Sequence, residues 1–453
     1  MDTPTDNARA PLAQRDHQPE HAARRRALAA EIGSDGIALL AASPARLRNN
    51  DVEYPYRADS DFRYLTGFTE PQAIAVLAPG HTEGDYILFC RERDPAQETW
   101  IGRRAGTEGA REQFGADAAY PIDEFDTRLP GLLAGRERLY VPLRAQPEFR
   151  RQLFTRLEQL PRQSRQHGGG QLPDTLVALD DLLHEWRLRK DPQELALMRV
   201  AAATSARAHC AAMRAARPGL MEYQLAAVLQ YEFECDGMTW AYPTIVGGGD
   251  NACTLHYIEN EAPLADGDLV LIDAGAEYRG YAGDITRTFP VNGRFSAPQQ
   301  ALYDIVLAAN RAGIEAAVAG AAANAPHQAA LRVLVTGLIE LGLLEGSVDA
   351  AIEQESYRAY YMHGTSHWLG MDVHDVGDYM IDGEWRPLEP GMTLTIEPGL
   401  YIARDSAAPA QYRGIGIRVE DDVCITEGAP EVLTAAVPKD PGAIEALMRE
   451  GRA

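Results

Sequence analysis

Short runs of hydrophobic residues in the first part of the chain alternate with longer stretches of helical character. Between about residue 30 and residue 160 the apolar runs are GIALLAA, AIAVLAPG, DYILFC and RLYVPL, and their length is typical of buried strands. Strands that alternate with helices predict an α/β domain, which we assign to residues 21–185. We expect residues 1–20, which are polar, to form a flexible tail, and the glycine-rich segment 162–174 to be a loop.

The second part of the chain combines long helical patterns with paired strand patterns. Apolar residues recur at helical spacing after Asp191, which has the spacing of a capping box with Glu194. Further helices are expected at about 221–236 and across 296–345. Strand signals lie between and after them, in LVLIDAG, DITRTFPV, MTLTIEPGLYI and GIGIRVEDDVCIT. We therefore predict an α+β domain over residues 186–453.

The overall charge of the chain is strongly acidic. Its 453 residues include 43 Lys and Arg but 66 Asp and Glu, for a formal net charge of −23, and a surface of this sign repels the phosphate backbone of nucleic acids. No apolar run approaches the ~18–20 residues of a membrane span, so we expect no membrane partner. The five cysteines are odd in number and contain no C-x-x-C pair, which favours a reducing cytoplasm over a disulfide framework.

One segment has two aspartates at the ends of neighbouring strand patterns. In LVLIDAGAEYRGYAGDITRTF, Asp273 closes an apolar strand and Asp284 opens the next one, with glycines between them that can turn the chain back. Two antiparallel strands would then bring both carboxylates to one place. Because aspartate is common at turns, an isolated pair of this kind more often caps strand ends at the surface.

A second hairpin pattern favours a site. In GMTLTIEPGLYI, Glu397 lies within an otherwise apolar strand, where an unpaired carboxylate is costly. In GIGIRVEDDV, the period of two assigns Ile415 to the core face and Arg418 and Glu420 to the other face. A surface strand on which Arg418 stands beside Glu420 as an ion pair has the same pattern, so this segment alone leaves both interpretations open.

Histidines cluster between the two hairpins. Three of the 11 fall within twelve positions, and a fourth precedes the first hairpin: His363, His367, His374 and His256. We interpret three others as ordinary packed or surface residues: His184, His209 and His327. The first two of the cluster have the i, i+4 spacing of a zinc-protease helix, but Gly364 stands where the H-E-x-x-H motif needs glutamate.

Two aspartates, two glutamates and a histidine would form an oxygen-rich metal site. Carboxylate oxygens with a single imidazole suit Mn²⁺, Co²⁺ or Zn²⁺ better than they suit a thiolate-held structural zinc. Four carboxylates packed together repel one another, and two divalent ions supply the positive charge that removes this repulsion. A pair of ions about 3.5–4 Å apart is the usual arrangement for activating one water and polarising a carbonyl. The constellation therefore favours a binuclear metallohydrolase.

These segments resemble, in order and spacing, the Xaa-Pro aminopeptidases (aminopeptidase P) of the creatinase/methionine-aminopeptidase superfamily. The matching segments are TIVGGGDNACTLHYIEN, GDLVLIDAGAEYRGYAGDITRTFPVNG, MHGTSHWLGMDVHDVG, LEPGMTLTIEPGLYI and YRGIGIRVEDDV, and YPYRADSDFRYLTGFTEP resembles the first domain of that family. The resemblance covers about residues 35–450. It implies an α+β pita-bread catalytic domain with pseudo-two-fold halves, preceded by a smaller α/β N-terminal domain.

The resemblance also implies a ligand role for five residues. Asp273 would bind one metal ion, and Asp284 and Glu420 would bridge both. His367 and Glu397 would bind the other ion. The implied cofactors are two divalent ions, with Mn²⁺ as the first choice and Co²⁺ or Zn²⁺ as alternatives.

Further residues correspond to the substrate pocket of the family. The implied pocket residues are Tyr242, His256, His363 and His374. Arg418 would support the site, and Tyr401 would add a hydrogen bond to it. Tyr242 taken alone is as often a packing aromatic as a pocket residue.

The reaction implied by the resemblance removes the first residue from peptides that have proline in the second position. A hydroxide activated by the metal ions is expected to attack the X–Pro bond, a tertiary amide without an N–H. His374 or His256 would stabilise the oxyanion, and Glu397 would be either a proton shuttle or only a ligand. By the same resemblance we expect a homo-oligomer, either a dimer or a tetramer.

Three other functions stay open at the level of the sequence. A prolidase shares the fold and ligands but cuts only Xaa-Pro dipeptides, and a methionine aminopeptidase is commonly more compact. A non-catalytic pita-bread module would bind peptides without cleaving them. Superfamily members that lose activity usually lose ligands, whereas all five are present here, so we expect the aminopeptidase.

Overall fold

The computed structural model describes residues 18–160 and 172–451. The chain divides into two compact units, residues 1–183 and 184–453, and each is described by itself below. The predicted tail lies outside the described residues up to residue 17, as does most of the predicted loop at 162–174. The first helix begins at Gln18, so the last three residues of the predicted tail are helical. Our division of the chain at residue 186 stays a proposal.

The first unit contains a six-stranded mixed sheet and the helices around it. Its strands are β1 (Gly36–Ala41), β2 (Leu47–Asn49), β3 (Val52–Glu53), β4 (Ile74–Leu77), β5 (Tyr86–Cys90), β6 (Ala118–Pro121), β7 (Arg138–Val141) and β8 (Thr175–Ala178). Its helices are α1 (Gln18–Ile32), α2 (Ser60–Thr66), α3 (Pro95–Ile101), α4 (Gly106–Glu112), α5 (Phe125–Leu133) and α6 (Pro147–Gln159), and α7 (Leu179–Leu188) contains the division between the units.

The four apolar runs of this unit form strands, as the pattern predicted. They are β1, β4, β5 and β7, and the sheet order is β6-β5-β4-β1-β7-β8. Strands β1, β4 and β5 are buried at every residue, which explains why their sequences are continuously hydrophobic rather than alternating. The predicted α/β character of this part of the chain is confirmed.

The second unit alternates helices with short antiparallel sheets. Its helices are α8 (Pro192–Ala215), α9 (Glu222–Cys235), α10 (Ala297–Ala316), α11 (Ala325–Glu340), α12 (Val348–Glu353) and α13 (Pro441–Glu450). Its strands are β9 (Thr239–Trp240), β10 (Ile245–Gly248), β11 (Leu269–Asp273), β12 (Ala276–Tyr278), β13 (Tyr281–Ala282), β14 (Thr286–Pro290), β15 (Met380–Ile381), β16 (Glu384–Trp385), β17 (Thr393–Ile396), β18 (Gly399–Ile402), β19 (Ile415–Arg418), β20 (Asp421–Cys424) and β21 (Glu431–Val432).

The predicted start of the long helix α8 is confirmed in detail. The Asp191 side chain accepts hydrogen bonds from the backbone N–H groups of Gln193 and Glu194, and the Glu194 side chain accepts one from the Asp191 N–H. These bonds satisfy backbone donors that have no partner within the helix. The helix packs its alanine-rich face against α9 and the first hairpin in a shared hydrophobic core.

Two interrupted hairpins form the centre of the second unit. In the first hairpin Asp273 of β11 pairs with Thr286 of β14, and four residues further Glu277 pairs with Ala282, so the register is kept across the gap. The gap is narrow, because a Cβ atom on Gly275 would lie 1.7 Å from the carbonyl oxygen of Gly283. Only glycine fits there.

The second hairpin repeats this arrangement. Ile396 pairs with Asp421, and three residues further Gly399 pairs with Arg418, so the register again continues across a gap. In this register Glu397 stands opposite Glu420. The recurrence of a carboxylate-bearing hairpin in each half agrees with the pseudo-two-fold, α+β pita-bread organisation that the resemblance implied.

Two details of the second hairpin differ from the sequence prediction. Glu397 lies in the gap between β17 and β18 rather than within a strand. The face assigned to the non-core side is as buried as the other, since Arg418 is 4% and Glu420 2% exposed. Periodicity identified the two faces correctly, but the polar face covers a buried site instead of facing solvent.

Among the helices within residues 18–160 and 172–451, none combines the length and the apolar character that crossing a lipid bilayer requires.

Candidate metal centre

Ten of the eleven residues that the resemblance assigned to the site line one pocket in the second unit, and Tyr401 is the exception. The pocket has a volume of about 650 Å³. The ten residues are Tyr242, His256, Asp273, Asp284, His363, His367, His374, Glu397, Arg418 and Glu420. The chain brings them together because residues at the gaps of both interrupted hairpins and residues of the histidine-rich segment line the same cavity.

The centre of the pocket is a compact group of metal-ligating atoms. One donor atom each from Asp284, His367 and Glu420 lies within 4.8 Å of the others. The His367 Nε2 atom lies 3.5 Å from Asp284 Oδ2 and 3.5 Å from Glu397 Oε1. Its other ring nitrogen, Nδ1, is 3.0 Å from the carbonyl oxygen of Trp368, which directs Nε2 towards the carboxylates.

Asp273 joins this group through a tyrosine. The Tyr242 hydroxyl donates to Asp273 Oδ1 at 2.6 Å and also contacts Asp284 Oδ1. The second Asp273 oxygen forms an ion pair with Arg418. The ion-pair partner of Arg418 is therefore Asp273 of the first hairpin and not Glu420, so the interpretation of this segment as a surface strand with an Arg418–Glu420 pair is wrong.

Arg418 also connects the two hairpins to each other. Its Nε donates to Thr286 Oγ1 at 2.9 Å, and Thr286 Oγ1 donates to Glu420 Oε2 at 2.6 Å. Its Nη1 donates to the Tyr401 hydroxyl at 3.0 Å, and that hydroxyl is 2.7 Å from His363 Nε2. The hydrogen bond expected of Tyr401 is therefore present, and it joins Arg418 to a pocket histidine.

The carboxylates of the pocket are difficult to ionise together. Burial raises the pKa of Asp273, and it raises the pKa of Glu397 to about 7. Burial and the neighbouring charge of Asp284 raise the pKa of Glu420 well above its usual range. Arg418 and, at neutral pH without metal, the imidazolium of His367 are two positive charges among four carboxylates, so the protein by itself leaves this group short of cations.

The histidines of the pocket differ in charge. Burial lowers the pKa of His367, but its hydrogen bond to Asp284 and the charge of Glu397 outweigh this and raise the pKa to about 9. Burial lowers the pKa of His363 to about 4 and also lowers that of His374. The His374 ring stands 4.2 Å from the ring of His367, measured between centroids. Neutral imidazoles on the pocket wall can donate or accept one hydrogen bond each.

The donor set fits divalent metal ions. Four carboxylates and one imidazole converge on one cavity. The raised pKa values of Asp273, Glu397 and Glu420 indicate that added positive charge would stabilise their ionised forms. Oxygen-rich sets with an imidazole are typical ligands of first-row divalent ions. Residues that could hold such ions are Asp273, Asp284, His367, Glu397 and Glu420.

Sequence reasoning missed several residues that support the ligands. The Thr395 hydroxyl accepts from the His367 backbone N–H at 3.1 Å and lies 3.4 Å from Glu397 Oε1. Asp422 Oδ2 accepts from the backbone N–H of Asp284 at 3.1 Å. Their signal was present in the sequence, because threonine and aspartate interrupt strands that are otherwise apolar and thus face something other than core.

Two histidines that we had interpreted as ordinary residues are packed near the site. His209 is fully buried and bonds to the carbonyl oxygen of Ala274 at 2.9 Å. His327 Nδ1 lies 2.8 Å from Thr365 Oγ1. Neither lines the pocket, so the interpretation as packing residues agrees with their positions.

Comparison with known families covers both parts of the chain. Residues 196–427 match metallopeptidase family M24, and residues 21–140 match the aminopeptidase P, N-terminal domain. The first match includes every candidate ligand, because all five lie between residues 273 and 420.

Individual relatives match over nearly the whole chain. Xaa-Pro aminopeptidase of Escherichia coli (strain K12) is 48% identical over 434 residues, which cover 95% of this chain and 97% of the relative. The structure of Pseudomonas aeruginosa aminopeptidase PepP superposes with a TM-score of 0.94 at 53% identity, covering 96% of this chain and 98% of that one. Aminopeptidase P from E. coli with the inhibitor Pro-Leu gives a TM-score of 0.92 at 46% identity, covering 96% and 99%. The chain therefore belongs to the aminopeptidase P family of M24 metallopeptidases.

Proposed function

We propose that this protein is a metal-dependent aminopeptidase that releases the N-terminal residue from peptides with proline in the second position. The observation that carries the proposal is one pocket in which four carboxylates and an imidazole meet three further histidines. Similarity to a relative named Xaa-Pro aminopeptidase, and to an aminopeptidase P structure with the inhibitor Pro-Leu, supports the choice of substrate.

Five residues would hold two divalent ions in this proposal. Asp284 and Glu420 would bridge the ions, Asp273 would bind one of them, and His367 and Glu397 would bind the other. Bound divalent ions supply Lewis acidity towards the scissile carbonyl and towards water. We propose Mn²⁺ as the ion in the cell, with Co²⁺ or Zn²⁺ as alternatives, because the donors are mostly carboxylate oxygens.

Arg418 and Tyr242 would keep the ligand carboxylates in place. Arg418 forms an ion pair with Asp273 and is itself oriented by Thr286 and Tyr401. The Tyr242 hydroxyl contacts both Asp273 and Asp284. Such outer hydrogen bonds fix the orientation of a ligand and tune its basicity.

The charge and shape of the pocket suit the N-terminus of an Xaa-Pro peptide. The free α-amine of the substrate is cationic, and the floor of the pocket is rich in carboxylates, Asp273 among them. Apolar side chains of Ile245, Leu255 and Val373 line the walls next to the imidazoles. A proline ring is apolar, so it suits a wall of apolar side chains. Because its nitrogen carries no N–H at the scissile bond, the pocket needs no hydrogen-bond acceptor at that position.

The remaining steps concern protons and the developing negative charge. His256 or His374, at the pocket wall, would donate a hydrogen bond to the oxyanion that develops on the scissile carbonyl. The Glu397 carboxylate would accept a proton from water and deliver it to the leaving amine of proline. His363 lines the pocket beside Glu397, with its Nδ1 2.6 Å from the Gly364 carbonyl oxygen and its Nε2 2.7 Å from the Tyr401 hydroxyl.

Two further proposals concern the state of the protein in the cell. We propose a homo-oligomer, a dimer or a tetramer, which sedimentation of the purified protein would test. All five cysteines are free thiols, two of them buried, and this agrees with our proposal of a cytoplasmic location.

The proposed activity is tested by removing and restoring metal. The protein is incubated with a chelator, assayed on an Xaa-Pro tripeptide, and assayed again after Mn²⁺ is added, with the products identified by mass. We expect hydrolysis to stop and then return, with release of the first residue only. A matched Xaa-Pro dipeptide distinguishes the prolidase, because exclusive cleavage of the dipeptide would contradict the aminopeptidase. If metal analysis shows that the chelator has removed the ions and hydrolysis still persists, the metal requirement is contradicted.

A further inference from the structure

The loop that carries His374 has no regular secondary structure. Residues 370–379 contain no helix or strand, yet Val373 and His374 line the pocket. The His374 ring also stands 4.2 Å from that of His367. An exposed ring on an irregular loop samples many positions unless neighbouring groups restrain the backbone, so the restraint must come from contacts outside regular secondary structure.

The side chain that follows His374 is enclosed in a buried ionic cage. Asp375 Oδ1 accepts from Arg187 Nη2 at 2.5 Å, and Asp375 Oδ2 accepts from Lys190 Nζ at 3.0 Å. The side chains of all three residues are at most 2% exposed. Arg187 Nη2 also donates to Asp372 Oδ2 at 2.7 Å. We call these four residues the Asp375 cage.

The Asp375 cage is neutral in formal charge. Arg187 and Lys190 balance Asp372 and Asp375 in formal charge. Burial alone would raise the pKa of Asp375, but Lys190 and Arg187 lower it below its usual value. Separating the charges of the cage would leave a buried charge without compensation. The ion pairs of the cage therefore hold these side chains in one arrangement.

The backbone around the cage is also held on both sides. The Asp375 N–H donates to the Trp368 carbonyl oxygen at 2.8 Å, and the Ala282 N–H donates to the Gly370 carbonyl oxygen at 2.9 Å. Ala282 lies two residues before Asp284, so the loop is tied to the ligand-bearing first hairpin. A Cβ atom on Gly370 would lie 2.1 Å from Asp375 Oδ2, which shows how closely the loop wraps the carboxylate.

We propose that Asp375, held by Arg187 and Lys190, is a positioning residue that fixes His374 beside His367 at the pocket wall and thereby sets the turnover of Xaa-Pro peptides. This inference rests on the proposed function. Asp375 itself does not line the pocket, so it acts only through the histidine that precedes it. Arg187 and Lys190 lie at the end of α7 and just after it, about 180 residues away in sequence from the loop that they restrain.

The test is a double-mutant cycle with His374. Kinetic constants on an Xaa-Pro tripeptide are measured for the wild-type protein, Asp375→Asn, His374→Ala and the double variant, with metal content and melting temperature recorded for each. We expect Asp375→Asn to lower kcat by about 10–100-fold, the range seen when supporting groups are removed, with KM within about twofold. In the His374→Ala background the same change should alter kcat by less than about twofold.

The position of the His374 ring is also measured in the metal-free protein, by nuclear magnetic resonance. In the metal-free protein labelled at histidine, the His374 imidazole resonance is assigned by its loss in His374→Ala. We expect Asp375→Asn to move that resonance at constant pH, because the ring leaves the neighbourhood of His367. If Asp375→Asn does not fold, Asp372→Asn removes one charge at the rim of the cage and should give a smaller change of the same kind.

A matched control comes from the same helix. Glu185 forms ion pairs with Arg386 and Arg189, and none of these three lines the pocket. Glu185→Gln should leave kcat and the His374 resonance unchanged.

Equal losses of kcat in both His374 backgrounds, or an unmoved resonance in Asp375→Asn, would overturn the proposal. If the wild-type protein does not cleave Xaa-Pro peptides, the proposed function fails, and the resonance alone decides whether Asp375 positions His374.

Discussion

Two consecutive residues of the second hairpin, Glu420 and Asp421, are both buried carboxylates in opposite electrostatic surroundings. Glu420 faces the pocket among Asp273, Asp284 and Glu397, and its pKa is raised well above the usual range. Asp421 faces away from the pocket and accepts from Arg287 Nη2 at 2.7 Å and from Lys439 Nζ at 2.6 Å. Although burial alone would raise the pKa of Asp421, these two cations lower it to about 2.

The difference separates a carboxylate that needs an external cation from one that stabilises the fold. Arg287 and Lys439 come from β14 and from the segment before α13, so the Asp421 cluster joins the two hairpins and the end of the chain. The metal-free pocket has only Arg418 and the protonated His367 for four carboxylates. The chain therefore supplies cationic side chains to Asp421, which has a structural role, but too few to the pocket carboxylates. This shortage of positive charge in the pocket favours the binding of divalent ions.

The largest expected effect tests the pocket side of this comparison. Replacing Asp284 by alanine removes the carboxylate that we propose to bridge both ions, so hydrolysis should be lost and bound metal should fall. Activity on an Xaa-Pro tripeptide and metal content are measured together. Asp405→Ala, at an exposed aspartate, is the control and should change neither quantity. Undiminished turnover in Asp284→Ala would contradict the assignment of the site.

A matched pair of neutral substitutions tests the comparison itself. In the metal-free protein, Asp421→Asn leaves Arg287 and Lys439 without their counter-charge, and we expect the free energy of unfolding to fall by about 3–5 kcal/mol. Glu397→Gln removes one of several like charges, so it should leave stability unchanged or raise it. Urea unfolding of both variants measures the difference. The comparison fails if the two substitutions destabilise the protein equally.

Acid should weaken the structural clusters in a defined range of pH. Because the pKa of Asp421 is lowered from 3.8 to about 2 in the folded protein, its contribution to stability is fully present above pH 4. It is lost as the pH falls from there towards 2, and its size is on the order of 2 kcal/mol. The contribution of the Asp375 cage to stability should also fall as the pH falls, since the pKa of Asp375 is lowered as well.

The acid effect is measured as the change in unfolding free energy between pH 5 and pH 3. Asp421→Asn should show a smaller change than the wild-type protein over the same range, because the titrating group is absent. An identical pH dependence in the two proteins would show that Asp421 does not contribute.

The smallest effect is expected at an exposed ion pair. Arg199 pairs with Glu431 at 2.7 Å, but both side chains are more than a third exposed. Water screens such pairs, so Arg199→Ala should change the unfolding free energy by no more than about 1 kcal/mol. A loss as large as that of Asp421→Asn would mean that burial does not account for the difference between the clusters.

The sequence determined the chemical identity of the site. Hydrophobic runs predicted β1, β4, β5 and β7, and a capping box predicted the start of α8. These two features are local, because strand period and helix caps depend on near neighbours along the chain. The resemblance of several segments to the Xaa-Pro aminopeptidases implied which side chains share a pocket.

Only the tertiary structure decided the partners of these residues. Arg418 pairs with Asp273, 145 residues earlier, and the polar face of β19 covers a buried site. Period two separates the faces of a strand but does not distinguish a face against solvent from one against a polar cavity. The ion pairs of Asp375 with Arg187 and of Asp421 with Arg287 join segments more than a hundred residues apart. Such pairs depend on how whole elements pack, which no local pattern encodes.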